Sequence, residues 1–200
     1  MSLATGLFDT EAEAADAVRA LKDAGISDED ISLIANITDR RIDHETALAD
    51  DAGAGAGVGA VLGGAGGLLA GLGMLTIPGI GPVVAGGWLL ATAVGAVAGA
   101  VVGGAAGGLI GALTEAGLSP EEAQFFAEGV KRGGTLVTVR TTGEAFERAE
   151  EILEGAPRVD VQTRRAEYES EGWEGFDETG EPYSPDEIRD YRGLYSRNPI

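Results

Sequence analysis

The residues that could carry out chemistry are few in this sequence. Its 200 residues include no cysteine and one histidine, His44, which excludes disulfides, thiolate metal sites, iron–sulfur clusters and thiol catalysis. His44 stands between Asp43 and Glu45, and we interpret it as a surface histidine in an acidic linker rather than a metal ligand. Serine hydrolysis needs a histidine partner, and the G-x-S-x-G pattern of many hydrolases is absent. The sequence therefore predicts no catalytic residue, no metal site and no enzyme activity.

Glycine-rich loops can bind phosphate groups, and this chain contains 33 glycines. It has no G-x-x-x-x-G-K-[ST] motif, because its glycine-rich part contains no lysine. Gly55, Gly57 and Ala60 fit the loose dinucleotide pattern, but they do not directly follow a strand, and such composition produces chance matches. Glu121 and Glu122 are better explained as charges that favour a helix N-terminus than as an acid–base pair. We therefore predict no bound cofactor.

The charge of the chain is strongly acidic and unevenly distributed. The formal net charge is −19, which argues against nucleic-acid binding, since phosphate backbones are bound by clustered cations. Residues 52–113 contain no charged residue and no histidine, and they hold 21 of the 33 glycines. An uncharged, glycine-rich segment thus interrupts an otherwise acidic protein.

Residues 1–51 predict a β-α-β unit followed by a polar connector. Residues 3–8 form a short apolar run, and Thr10 with Glu13 forms a capping box that predicts a helix start. Residues 31–35 are mostly apolar and include two β-branched isoleucines, which predicts a buried strand. This unit is the expected first half of a domain.

Residues 114–165 predict an extra helix followed by a second β-α-β unit. Ser119 and Pro120 indicate the start of the extra helix, and residues 135–141 predict a strand. A helix is expected next, and residues 158–164 alternate apolar and polar side chains as a half-buried strand does. The two β-α-β units together predict an α+β fold of the ferredoxin-like, or split βαβ, type. Its core is modest in size, so oligomerisation would help its stability.

Small residues recur every four positions within the uncharged segment, residues 52–113. One series is Gly55, Gly59, Gly63, Gly67 and Gly71, and the other is Gly87, Ala91, Gly95, Gly99, Gly103, Gly107 and Gly111. Because a helix turns about every 3.6 residues, each series stays near one helix face, which lets two helices approach closely. Between the series, the sequence TIPGIGP is predicted to reverse the chain through Pro78, Gly79, Gly81 and Pro82. The segment therefore predicts a glycine-zipper helical hairpin.

Two environments could bury such a hairpin. Helices over residues 53–77 and 83–113 would be about 37 and 46 Å long, enough to cross a hydrocarbon core of about 30 Å. The flanking charges do not follow the positive-inside rule, and the many glycines and alanines make insertion marginal. We favour insertion into a membrane or lipid phase. The alternative is a protein-only oligomeric core in which the hairpins pack against each other.

Two neighbouring stretches of the sequence resemble a known family. The TIPGIGP turn between glycine-rich apolar stretches is followed by AGLSPEEAQFFAEGVKRGGTLVTVR. This combination resembles bacterial general stress proteins that carry a glycine-rich hydrophobic segment, and the similarity covers about residues 3–165. The resemblance implies stress-associated expression in bacteria, and it implies no catalytic residues.

Residues 166–200 form an acidic tail that is rich in aromatic residues. A tail that only solvates the protein should be poor in aromatic residues, and the motif from Ser184 to Glu187 predicts a helix start within it. One interpretation is a disordered tail. We favour a docking arm whose aromatic side chains bind a neighbouring subunit or a partner protein. The candidate docking residues are Trp173, Phe176, Tyr183, Tyr191 and Tyr195.

The sequence as a whole predicts a non-enzymatic, self-assembling, stress-associated structural protein. Its glycine-zipper hairpin would pack in a membrane or lipid-associated homo-oligomer. The alternative is a soluble homo-oligomeric scaffold with the hairpin in a protein-only core and the tail bound to neighbours or partners. No positively charged signal-peptide region precedes the first apolar run. With no cysteine either, we expect a cytoplasmic location or the cytoplasmic face of the inner membrane.

Overall fold

The computed structural model describes residues 1–38, 73–90 and 108–195. Within these ranges, five strands form one antiparallel sheet that helices cover on both faces. The strands are β1 (Ser2–Phe8), β2 (Ile31–Asn36), β3 (Gly73–Ile77), β4 (Gly81–Gly86) and β5 (Thr135–Thr141). The helices are α1 (Glu11–Asp23), α2 (Leu109–Glu115), α3 (Pro120–Lys131), α4 (Glu144–Gly155), α5 (Val161–Ser170) and α6 (Pro185–Tyr195). The predicted α+β class is confirmed at this level.

The sheet separates two hydrophobic cores. Its strands lie in the order β1-β5-β2-β4-β3, and each neighbouring pair is antiparallel. Because side chains alternate along a strand, Val137 of β5 packs with Val18 and Leu153 on the face that α1 and α4 cover. The preceding residue of β5, Leu136, packs with Leu113 on the other face of the sheet. This face is covered by α2, α3 and residues 159–195. Each fully buried aliphatic side chain of this kind contributes about 1.5–3 kcal/mol.

Side-chain caps fix two helix starts that the sequence predicts. At α1, the Thr10 hydroxyl accepts from the Glu13 backbone N–H at 3.2 Å, and the Glu13 carboxylate accepts from the Thr10 N–H at 3.1 Å. Ser119 and Glu122 repeat the arrangement at α3, at 3.2 and 3.0 Å. Each cap of this kind stabilises a helix by about 1 kcal/mol. Because these caps depend on neighbouring residues only, both predictions are confirmed.

The predicted helical hairpin is wrong over residues 73–86, which form the β-hairpin of β3 and β4. TIPGIGP does reverse the chain, but it joins two strands instead of two helices. Ile80 N donates to Ile77 O at 3.1 Å, and Gly79 has a φ of 74°. These features fit a type II turn with Pro78 and Gly79 at its centre. Pairing of β4 with β2 supplies backbone hydrogen bonds that the four-residue glycine spacing does not reveal.

Two of the predicted packing glycines lie among the described residues. Gly87 follows β4 with a φ of 77°, and a Cβ there would lie 2.0 Å from Ile31 O, so the close approach of β2 requires glycine. Gly111 lies half-buried in α2. The others, which are Gly55, Gly59, Gly63, Gly67, Gly71, Gly95, Gly99, Gly103 and Gly107, lie outside the described residues, and their zipper stays a prediction. Within the described ranges, every helix is too short or too polar to cross a bilayer.

The predicted strand over residues 158–164 is also wrong, because α5 begins at Val161. The Asp160 carboxylate accepts from Thr163 N at 2.8 Å and caps this helix. A strand here would form a ladder of backbone hydrogen bonds with β1. The structure has one such bond, which Val159 N donates to Leu7 O at 2.8 Å. The helix cap therefore ends the extended stretch after a single backbone hydrogen bond to the sheet.

Candidate functional site

The acidic tail packs back onto its own domain. We call its described part, residues 166–195, the C-terminal segment. Tyr168, Ile188 and Tyr195 are buried in it, and Trp173 and Tyr191 pack against the core around α3. The predicted helix start at Ser184 is confirmed, since its hydroxyl and backbone N–H both bond to Glu187 at the start of α6. The docking of these aromatic residues on a neighbour or partner stays a prediction.

Each of the five predicted docking residues lies over a cation of this chain. Lys131 Nζ lies 4.8 Å from the ring centroid of Tyr183 and 5.7 Å from that of Phe176. Each of three arginines has its Cζ close to one ring centroid. The distances are 4.7 Å for Arg132 and Tyr191, 3.8 Å for Arg164 and Tyr195, and 5.9 Å for Arg165 and Trp173. A cation within about 6 Å of a ring centroid gains roughly 0.5–1 kcal/mol, and more when both groups are desolvated. We call these four cations and five aromatic residues the cation–aromatic cluster.

Arg132, at the end of α3, joins that helix to both ends of the C-terminal segment. Its Nε donates to Glu128 Oε1 at 2.7 Å, and its Nη1 donates to the Tyr195 hydroxyl at 3.2 Å and to the Glu171 carboxylate. Burial lowers the pKa of Arg132, but the hydrogen bonds to Glu128 and Glu171 outweigh burial and raise it above its ordinary value. The guanidinium therefore stays charged in a buried position.

Arg164, in the first turn of α5, joins that helix to the end of β1. Its Nη1 and Nη2 donate to the two carboxylate oxygens of Asp9 at 2.7 and 3.0 Å, a bidentate arrangement that fixes orientation as well as distance. Its Nε lies 2.8 Å from Glu167 Oε2 but is too poorly aligned for a hydrogen bond. Burial lowers the pKa of Arg164, and Asp9 more than restores it. This pair anchors α5 on the sheet.

Arg192 attaches α6 to the carbonyl groups beneath it. Its Nε donates to Gly133 O and its Nη2 to Asn36 O, both at 2.8 Å, and its Nη2 lies 3.7 Å from Glu11 Oε1. Gly133 has a φ of 99°, and a Cβ there would lie 2.9 Å from Ile188 Cγ2. Glycine at the end of α3 therefore permits both the turn and the close approach of α6.

Burial raises the pKa of three tyrosines in or beside the cluster, which are therefore protonated at neutral pH. Burial raises the pKa of Tyr195 to about 12, and Arg132 opposes this rise by bonding to its hydroxyl. Burial likewise raises the pKa of Tyr168 and of Tyr183 well above the ordinary value. These phenols can donate hydrogen bonds, but their pKa values lie far from those of useful general bases.

Two cavities that the C-terminal segment lines within the described residues are small. The cleft between Asp9, Arg132, Arg164, Tyr168, Arg192 and Tyr195 has a volume of about 10 Å³, which is the room for one water molecule. An apolar groove between Ile77, Pro78, Ile80, Leu109, Ile110 and Phe176 is equally small. The described residues contain no group of three metal-binding side chains. The cluster is therefore suited to hold the segment in place, since its guanidinium groups already bind carboxylates and carbonyl groups.

The structure brings together two sets of predicted site residues, the turn and the tail. A Cβ on Gly79 would lie 2.7 Å from Asp177 O and 3.1 Å from the Phe176 ring. A Cβ on Gly81 would lie 3.1 Å from Pro182. The turn glycines therefore leave room for the loop that joins α5 to α6.

The aromatic residues were predicted from the sequence, but the charged residues around them were not. The missed residues are Asp9, Glu128, Lys131, Arg132, Arg164, Arg165, Glu171 and Arg192. One signal was available, because the chain has 14 lysines and arginines, and six of them form the adjacent pairs 40–41, 131–132 and 164–165. Adjacent cations in so acidic a chain indicate partners for an acidic, aromatic tail.

The histidine and the loose dinucleotide pattern that the sequence analysis considered cannot be placed in the fold. His44, Gly55 and Gly57 lie outside the described residues. No protein-family model matches the chain, and no match was found among curated proteins or solved structures. The resemblance to bacterial general stress proteins therefore stays a prediction.

Proposed function

We propose that this chain is a non-enzymatic structural protein that self-assembles into a homo-oligomer through its two glycine-rich stretches, residues 52–72 and 91–107. One observation carries the proposal. The stretches join the described fold side by side, because a Cβ on Gly73 would lie 3.0 Å from Leu90 Cδ2. Two stretches with glycine every four residues that start from one corner of the sheet are well placed to pack closely together.

The nearest described residues beyond the other ends of the two stretches, Thr38 and Gly108, also lie close to one place. A Cβ on Gly81 would lie 3.3 Å from Thr38 Oγ1, and Gly108 lines the groove beside Pro78 and Ile80. Thr38 and Gly108 therefore both lie near the turn of the β-hairpin. The chain leaves the described domain after Thr38 and after Leu90, and it rejoins the domain at Gly73 and at Gly108.

This return favours a protein-buried stretch over one that spans a bilayer. A single helical crossing needs about 20 apolar residues, so a stretch that returns to its starting side needs about twice that number. Residues 52–72 and 91–107 are too short for two crossings each. We therefore propose the protein-only oligomeric core. Association with a lipid surface is the second candidate, because residues 52–113 contain no charged residue.

The described strands support a finer statement about the fold. In our proposal, β1, α1, β2, β5 and α4 are a split βαβ arrangement, since β5 lies between β1 and β2 and is antiparallel to both. The segment at Val159 takes the place of the fourth strand, and α5 follows it at once. The β3–β4 hairpin extends the sheet on the other side. Such a ferredoxin-like domain would present the glycine-rich stretches at the corner beside Gly73.

The test is the mass of the full chain in solution. Gly63→Leu and Gly103→Leu each place a large side chain on the predicted packing face, so the oligomer mass from light scattering should fall toward that of a monomer. Ala65→Leu and Ala105→Leu add similar bulk two residues away, on another helix face, and should leave the mass unchanged. Equal masses for all four variants would refute packing through the glycine faces.

A second measurement separates protein burial from lipid association. The full chain is mixed with phosphatidylcholine vesicles and floated on a density gradient. We expect the oligomer to remain at the bottom with the unbound protein. Flotation of the wild-type chain that Gly63→Leu abolishes would favour the lipid-associated candidate instead.

A further inference from the structure

The two edges of the sheet differ in how they are covered. At β1, Val159 N donates to Leu7 O at 2.8 Å, and Arg158 Nη1 donates to Thr5 O at 3.1 Å. At the opposite edge, β3 pairs only with β4 among the described residues. An uncovered edge offers backbone groups to which another strand can pair.

The alternation of hydrogen bonds determines which groups of β3 point outward. Ile37 N donates to Pro82 O, so Pro82 faces β2, and the next residue of β4 faces β3 because successive residues point to opposite sides. The register partner of that next residue is Leu75, which therefore faces β4. Met74 and Thr76 consequently direct their N–H and C=O groups away from the sheet.

We propose that β3 pairs antiparallel with β3 of a second copy of this chain, about a two-fold axis at Leu75. This inference rests on the proposed function, since it names one contact of the homo-oligomer. In this register Met74 lies opposite Thr76 of the second copy, and the four outward backbone groups of each strand form four hydrogen bonds between the two copies. The two Leu75 side chains meet at the axis, which makes the strand complementary to itself.

The distribution of charge favours a second copy as the occupant. Each copy carries a net charge of −19, and all of its acidic residues lie outside residues 52–113. The strand β3 therefore brings no carboxylate of its own into such a contact, whereas contact through the acidic parts of the surface brings like charges together. β3 also contains no lysine and no proline, the residues that commonly block edge pairing. Its Met74 is 48% exposed, so an apolar side chain is available there.

The register can be tested with single cysteines, because the chain has none of its own. Under mild oxidation, Leu75→Cys should form a disulfide-linked dimer, since paired residues at the axis have Cα atoms about 4.5 Å apart. The matched control is Met74→Cys. Its two copies would be offset by two residues, which puts their Cα atoms about 8 Å apart, beyond the roughly 7 Å limit for a disulfide. Covalent dimer from Leu75→Cys, with little from Met74→Cys, would support the register.

Random collision predicts the reverse order, because position 74 is the more exposed of the two. Dimer formation by Met74→Cys at the same rate or faster would therefore overturn the proposal. No covalent dimer from Leu75→Cys would overturn it too, and this result is expected if residues of the same chain cover β3.

The strand can be blocked without changing its charge. Thr76→Pro removes an outward N–H that has no partner strand among the described residues, so the particle mass should halve if β3 joins two subunits. Thr76→Val keeps the N–H and should keep the mass. If the wild-type chain is oligomeric but Thr76→Pro leaves its mass unchanged, the β3 contact is refuted while the proposed function stands. A wild-type chain that is monomeric at all concentrations refutes both.

Discussion

Arg132→Met is expected to destabilise the protein through the buried charge that it leaves behind. Methionine keeps much of the aliphatic length but loses the guanidinium that binds Glu128 and Glu171. The Glu128 side chain is 4% exposed and that of Glu171 is 36% exposed. A buried charge without its partner costs about 3–5 kcal/mol, whereas a partly exposed carboxylate is solvated again and costs about 0–1 kcal/mol. We expect the free energy of unfolding to fall by about 3–5 kcal/mol, mainly because of Glu128.

The assay is urea unfolding followed by far-ultraviolet circular dichroism, with matched variants of both carboxylates. Glu171→Gln should lower the free energy of unfolding by about 1 kcal/mol or less. Adding Glu128→Met to Arg132→Met should restore much of the loss, because replacing both members of a buried ion pair with apolar residues is often neutral. A domain of this size has a total stability of about 5–15 kcal/mol, so the single change should shift the urea midpoint strongly.

Two results would refute this reasoning. Arg132→Met could prove no more destabilising than Glu171→Gln, which would mean that the buried Glu128 carboxylate finds solvent without its partner. Alternatively, the double variant could be as unstable as Arg132→Met or more so. The loss would then come from the contacts of the guanidinium with the C-terminal segment, not from an unpaired charge.

Further predictions concern a glycine pair and a tyrosine. Gly129→Ala should lower the free energy of unfolding by about 1–3 kcal/mol, because a Cβ there would lie 2.5 Å from Leu7 Cδ2. In contrast, Gly155→Ala at the end of α4 should be neutral or stabilising by up to about 1 kcal/mol, since a Cβ there meets nothing within 4 Å. The midpoints of urea unfolding measure the stability of both variants. The difference in phenolate absorbance between the wild type and Tyr195→Phe should have its midpoint near pH 12, and in urea near pH 10. Because folding raises the pKa of Tyr195, the native state loses stability as the pH rises from about 10 toward 12. Equal titration midpoints with and without urea would contradict burial of Tyr195.

Features that depend on neighbouring residues could be predicted from the sequence. The motif that starts α6 is an example, since Ser184 and Glu187 satisfy each other's polar groups within one helical turn. β5 is another, because the predicted strand over residues 135–141 has the bounds of the observed one. In both cases the local preference and the tertiary environment favour the same structure.

Features that depend on distant partners could not be predicted in the same way. Residues 73–77 and 81–86 are strands because β4 pairs with β2, which precedes it by more than forty residues. The glycine spacing around them favours helix and carries no information about that pairing. Near Val159 the error has another cause, since two apolar residues in alternation indicate a strand while the Asp160 cap starts a helix between them. The cations of the cluster were missed because their partners lie in other elements.

The positions of the cations explain how an acidic tail packs on an acidic domain. Residues 166–200 carry a net charge of −7 and residues 1–51 carry −9, so the two should repel each other. Residues 114–165 supply cations that offset this repulsion. Four of these cations lie over the aromatic rings of the C-terminal segment, namely Lys131, Arg132, Arg164 and Arg165. Because the segment engages these cations, they are less available to a second copy that approaches from outside.

The consequence concerns assembly. A surface whose cations are occupied by its own tail presents mainly carboxylates to another molecule, and like charges oppose association until salt screens them. Residues 73–90 contain no charged residue, so two copies that meet at β3 bring no carboxylate of that strand together. One arrangement of charge thus accounts for two things, the docking of the tail within the chain and the place where we expect contact between chains.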